Sequence, residues 1–178
     1  MGIILSSFVG CGREFIKNTH GDKAKIFDAV NDIEVDEKDR ESLESYFNLV
    51  MSKVNENDIV FIGASDAIRK IFNENNIDYD VFYPSVERRK EFIENEVRKR
   101  SNPNKIRDLD KNFEKWVKLI DDDEAPNCYK HKLSNMGEFI GNSPVIMQYI
   151  NSLKPKQQEG NTNNEVNQNT EKGQLPTS

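Results

Sequence analysis

Cysteine is scarce in this chain of 178 residues: only Cys11 and Cys128, far apart and at no metal-binding spacing. That excludes a disulfide framework and a cysteine-ligated metal centre as organising features, and both residues read as reduced thiols of a cytoplasmic protein. Long apolar runs are also missing. The opening run Ile3-Ile4-Leu5 is too short to span a bilayer, so no membrane association is expected. Met1-Gly2 with Ser6 formally fits an acylation pattern, yet the segment reads better as a buried first strand. Basic excess is lacking as well, with 25 Lys and Arg against 31 Asp and Glu and a pI near 5.1. The chain therefore carries no strong nucleic-acid signature, and an anionic ligand must be met by a local basic cluster. The two histidines, His20 and His131, are isolated in sequence, and His20 reads as a solvated turn residue.

What is present is an alternation of strand and helix signals in a length that suits one domain. Ile3 to Phe8 reads as a strand, Arg13 to Asn18 as a short helix, and Lys25 to Ala29 as a second strand ending near Asp28. A helix over about 38–54 carries Leu43, Tyr46, Phe47, Val50 and Val54 at helical spacing. The short apolar run 58–63, ended by Gly63, suits a strand buried on both faces. A helix over 66–75 and a strand over 79–83 follow, the strand stopped by Pro84. This βαβ rhythm predicts a three-layer α/β fold, a parallel sheet covered by helices.

Beyond Pro84 two helical patterns adjoin, 85–100 and 105–121, broken by Asn102-Pro103-Asn104. Ser85 is the expected N-cap of the first. This hairpin, about 85–121, is expected to act as a lid, its basic end formed by Arg98-Lys99-Arg100. Trp116 sits at core spacing and reads as packing. A late strand is expected over 127–133, and a closing helix begins at Pro144 after Asn142 or Ser143. The domain is thus expected to span 1–153. The stretch 154–178, almost devoid of large apolar residues, reads as a disordered tail.

The chemistry concentrates between the first strand and first helix. Ser7-Phe8-Val9-Gly10-Cys11-Gly12-Arg13-Glu14 has the layout of a phosphate-binding loop, GxxxxGK followed by Ser or Thr. Ser7 stands at the first glycine, Arg13 at the lysine and Glu14 at the hydroxyl residue that holds Mg²⁺. Arg13 keeps a positive charge on a longer, planar fork. Glu14 suits a helix start but repels a phosphate placed there.

Phe8-Val9-Gly10-Cys11-Gly12, Tyr83-Pro84-Ser85, the charged helix ending Arg100-Ser101-Asn102, Asn112-Phe113-Glu114-Lys115-Trp116 and Gly137-Glu138-Phe139-Ile140 occur in an order that resembles a phage family. It is the family of small P-loop, nucleoside monophosphate kinase-like proteins of tailed phages. The resemblance covers residues 3 to about 150, and its departures fall at the loop: Val9 for Pro, Arg13 for Lys, Glu14 for Ser or Thr. Ser101 also replaces the Gly of the family's RGN turn. It implies a P-loop nucleotide-kinase-like sheet with a helical lid, a strand at the G-E-F-I segment, and ATP with Mg²⁺ as cofactors. It further implies that Gly10, Cys11, Gly12, Arg13 and Glu14 contact the nucleotide, that Asp28 positions the acceptor or metal, and that Arg89, Arg98 and Arg100 clamp the transferring group.

Two readings of function follow. In one the chain has lost kinase chemistry and acts by binding a nucleotide, a nucleotide-derived ligand, or a host or defence protein. In the other it is an active, divergent nucleoside monophosphate kinase. The paired substitutions at positions 13 and 14 favour the first, since each removes a stabiliser of the same transition state.

Overall fold

The short apolar runs form the middle of one sheet because, lacking a polar face, they must be covered on both sides. In the computed structural model, which describes residues 1–153, the strands are β1 (Ile3–Ser7), β2 (Ile26–Asp28), β3 (Ile59–Gly63), β4 (Tyr79–Pro84) and β5 (Cys128–Leu133). They lie in the order β2-β3-β1-β4-β5, and every pairing is parallel. β1 runs in register with β3 from Ile3 opposite Ile59 to Ser7 opposite Gly63. Leu5, Ile59, Val60, Phe61 and Ile62 are fully buried, as are Val81 and Phe82 of β4. β5 sits at the edge, buried only at its ends, Cys128 and Leu133, and its exposed Lys130 and Lys132 discourage further strand pairing.

The helices are α1 (Arg13–His20), α2 (Ala29–Asp32), α3 (Arg40–Val54), α4 (Asp66–Glu74), α5 (Arg89–Arg98), α6 (Pro103–Asp121) and α7 (Pro144–Ser152). The step from β1 to β2 runs toward one edge of the sheet, and the three later steps run back toward the other. Right-handed crossovers then place α1 on one face and α3, α4 and α6 on the opposite face. The contacts agree: α3 packs on α4 and α4 on α6, whereas α1 and α7 share the 3-10 turn Ile140–Asn142. The result is a three-layer α/β fold.

Local chemistry sets the helix starts. The Asp39 side chain accepts from Ser42 N–H, Ser65 from Ile68 N–H and Asn102 from Asn104 N–H, each meeting an otherwise unpaired donor of a first turn. Pro103 and Pro144 occupy first-turn positions, where their missing N–H costs nothing.

Several expectations need correction. The helix after Pro84 opens as a 3-10 turn, Val86–Arg88, and the Ser85 side chain makes no capping bond. Gly137 to Ile140 is not a strand: Gly137 has φ 74°, and the chain passes directly into the 3-10 turn. His20 is buried at the end of α1 rather than solvated. His131 is not isolated in space, since its ring stacks on Phe82 and its Nε2 lies 2.6 Å from Asp80 Oδ1. Cys11 and Cys128 are both free and buried. The expected tail, 154–178, lies outside the described residues.

Candidate functional site

The loop between β1 and α1 turns on two glycines in left-handed backbone, Gly10 at φ 83° and Gly12 at φ 95°. L side chains resist that region, which is why glycine stands at both positions. Between them Cys11 points inward, its Sγ donating to Phe82 O at 3.6 Å, and burial pushes the thiol up to about 12. Ile140 N–H donates to Cys11 O at 3.0 Å, fixing the last 3-10 turn on the loop. Among the described residues the N–H groups of Gly10, Gly12 and Arg13 donate to no protein acceptor.

The five loop residues and Asp28, expected to act together, are brought together, but with a different division of labour. Arg13 lies along the sheet end. Its Nη1 donates to Ser7 Oγ at 3.0 Å, and its Nε lies 3.6 Å from Asp28 Oδ1. Asp28 is fully buried, and its other oxygen accepts from Asn31 Nδ2 at 2.8 Å and from Lys17 Nζ at 3.5 Å. Glu14 accepts from Asn31 Nδ2 at 3.1 Å and sits 3.7 Å from Lys17. Loop cation and loop carboxylate thus close a small internal network. Within it Arg13 Nε and Asp28 Oδ1 are buried without a hydrogen-bond partner.

The helical hairpin packs directly onto this loop. Phe8 meets Phe92, Phe113 and Trp116 edge-on at 5.2–6.3 Å between ring centroids. A Cβ at Gly10 would come within 3.1 Å of Phe92 and 3.5 Å of Glu96 Oε1, so side chains from α5 already line the glycine turn.

Of the three expected clamp arginines, Arg89 and Arg98 are engaged by carboxylates of the helical hairpin. Arg89 bonds Asp110 through both its backbone oxygen, at 3.1 Å, and its carboxylate, at 3.0 Å. Arg98 is exposed and lies 3.7 Å from Glu94, while Arg100 takes a positive φ of 55° just past the end of α5.

Sequence reasoning passed over Arg88, a cation as deeply buried as Arg69. It forms a fork on Glu91 at 2.7 and 2.9 Å and donates to Leu133 O and Glu138 O. Its guanidinium lies against the rings of both Phe92 and Phe139, at 5.1 and 5.2 Å from their centroids. Arg88 holds Glu91 below the usual carboxylate range. The available signal was Glu91 three residues after Arg88, a spacing that faces the two side chains on one turn.

A cavity of about 650 Å³ opens at the carboxyl ends of β1 and β3, beside the loop. It falls where the strand connections diverge to opposite faces, the place at which open parallel sheets take ligands. Val9, Ile33, Trp116 and Leu119 supply apolar walls, and Ser7, Arg13 and Tyr46 supply polar groups. The Tyr46 hydroxyl is buried beside the Gly63 backbone with no partner at bonding distance, and burial raises its pKa. Lys38 and Lys115 line the cavity and form no ion pair among the described residues. Trp116, expected only to pack, both packs on Phe8 and faces this space.

No protein-family model matches the chain, and no curated protein matches it significantly.

Proposed function

We propose that the chain is a P-loop-like nucleotide-binding domain that no longer transfers phosphate. The nucleoside sits in the cavity at the ends of β1 and β3, and its phosphate points toward the Gly10–Arg13 turn. The observation carrying this reading is the inward placement of Arg13, whose guanidinium is engaged by Ser7 and Asp28. A kinase loop needs its cation on the β/γ-phosphates and a hydroxyl on Mg²⁺. Here Arg13 is neutralised by a buried carboxylate, and position 14 offers Glu14, already bonded to Asn31. These residues do not fit a magnesium triphosphate. They are compatible with a monophosphate or a nucleotide-derived ligand reaching Lys38, Lys115 and the free loop amides.

Calorimetry on the full chain tests this with nucleoside monophosphates and with ATP, each with and without Mg²⁺. The expected result is magnesium-independent binding of a monophosphate and no ATP turnover. Micromolar, magnesium-dependent ATP binding with product formation overturns it in favour of an active kinase. Absence of any nucleotide binding overturns it in favour of a host or defence protein as the ligand.

A further inference from the structure

Arg88 and Asp28 have evident structural partners, but a second buried carboxylate does not belong to the core it touches. Glu96 lies on the last turn of α5, is 2% exposed, and has its Oε1 against the Gly10 turn, 3.5 Å from where a Cβ would stand. Its donors converge from the α5–α6 junction. Ser101 Oγ donates at 2.7 Å, Lys99 Nζ lies at 3.3 Å and Lys105 Nζ at 3.5 Å. Burial alone pushes this carboxyl upward, and the three donors outweigh it, holding Glu96 below the usual carboxylate range.

Two ammonium groups, a hydroxyl and a glycine turn with undirected N–H groups are the set that would receive a phosphate. In this chain a carboxylate of the protein occupies it. We propose that Glu96 is an internal anion that keeps the α5–α6 junction shut on the Gly10 turn, so that a phosphate-bearing ligand must displace it to bridge Lys99, Lys105 and the Gly10 turn.

This rests on the nucleotide-binding reading for the identity of the natural ligand but not for the latch itself. Lys99 and Lys105 are each roughly half exposed, so they can follow an incoming anion without unfolding the junction. Ser101 N–H donates to Glu96 O at 3.1 Å, so the backbone of the turn stays anchored while the side chain swings.

The test compares the full wild-type chain with Glu96→Gln and with the milder Ser101→Ala, using magnesium-free inorganic tripolyphosphate as probe. Glu96→Gln is expected to bind tripolyphosphate at least tenfold more tightly than wild type and, without ligand, to exchange the amides of residues 8–12 faster. Ser101→Ala, which removes one donor and keeps the carboxylate, is expected to move exchange in the same direction by a smaller factor. Equal affinities and equal exchange in wild type and variants overturn the latch. If Glu96→Gln does not fold, unchanged exchange and affinity in Ser101→Ala overturn it alone. Monophosphate binding by wild type with no tripolyphosphate gain in Glu96→Gln sinks the latch and leaves the nucleotide reading standing. A tripolyphosphate gain in a chain that binds no nucleotide does the reverse.

Discussion

Arg13, at the start of α1, and Asp28, at the end of β2, meet across the end of β3, Nε to Oδ1 at 3.6 Å, although β1 and β2 are not neighbours in the sheet. The ion pair ties the first crossover to the sheet end, and it turns the one cation of the glycine loop away from the solvent side.

Restoring the kinase-type residues in the loop is therefore expected to fail. Arg13→Lys combined with Glu14→Ser leaves Asp28 buried next to the new cation and leaves Glu96 at Gly10. A coupled assay should find no ATP turnover above background. Measurable turnover would place the loss of chemistry in positions 13 and 14 alone.

Alanine substitutions at three glycines should rank by what surrounds each. Left-handed backbone costs a non-glycine residue about 1–2 kcal/mol. Gly137, at φ 74° with nothing within 4 Å of an added Cβ, should lose only that. Gly12 has ordinary contact with Phe139 at 3.4 Å and should lose little more, whereas Gly10 must also push Phe92, 3.1 Å away. Urea unfolding midpoints give the order directly, Gly10→Ala lowest.

Replacing Arg88 should be the most damaging single change near the site. Arg88→Met strands the Glu91 carboxylate and two carbonyl oxygens, and breaking such a buried pair costs about 3–5 kcal/mol. Arg88→Lys should recover little, since one ammonium cannot reproduce the fork. Equilibrium denaturation of both variants checks the expectation.

Acid should weaken the fold through the same group. Glu91 has a folded pKa lowered chiefly by its bond to Arg88. Its contribution is fully present above the unfolded carboxylate value, about 4.3, and is lost as pH falls through the lower folded value. Stability measured from pH 7 down to 3 should therefore decline below about pH 4.3. Glu91→Gln should flatten part of that decline.

The thiols should be silent in the native state. Cys11 is 1% exposed with its pKa pushed up to about 12, and burial also raises that of Cys128. A thiol reagent at neutral pH should react slowly with the folded chain and with both cysteines in denaturant. Fast native labelling would mean that the loop opens far more than its packing suggests.

Much of the architecture was legible because periodicity and punctuation agreed. The apolar run at 59–62, the stripe on α3 and the prolines at 103 and 144 each signal their element locally, and the elements fall within a few residues of expectation. The glycine turn and Asp28 were also found, because strand ends announce themselves. The orientation of charge was not legible. Arg88, Arg89 and Arg98 look alike in a string of cations, yet one is buried against two rings and the others rest on surface carboxylates. Burial of a charge depends on partners such as Leu133 O and Glu138 O, about 50 residues away, which no local pattern encodes. The same holds for His131, whose partner Asp80 lies on the neighbouring strand.

The position of β1 has a consequence for assembly. It precedes both of its partners in the chain, yet it lies between them, paired with β3 at residues 59–63 and with β4 at residues 80–82. A strand with apolar side chains on both faces must therefore wait, unpaired, until β3 at residues 59–63 is available, and with one edge still open until β4 arrives at residues 80–82. Such non-local closure slows folding and leaves a sticky segment exposed in the interval. During synthesis Ile3 to Ser7 would be the segment most in need of shielding, and the stretch most prone to pair with the wrong chain.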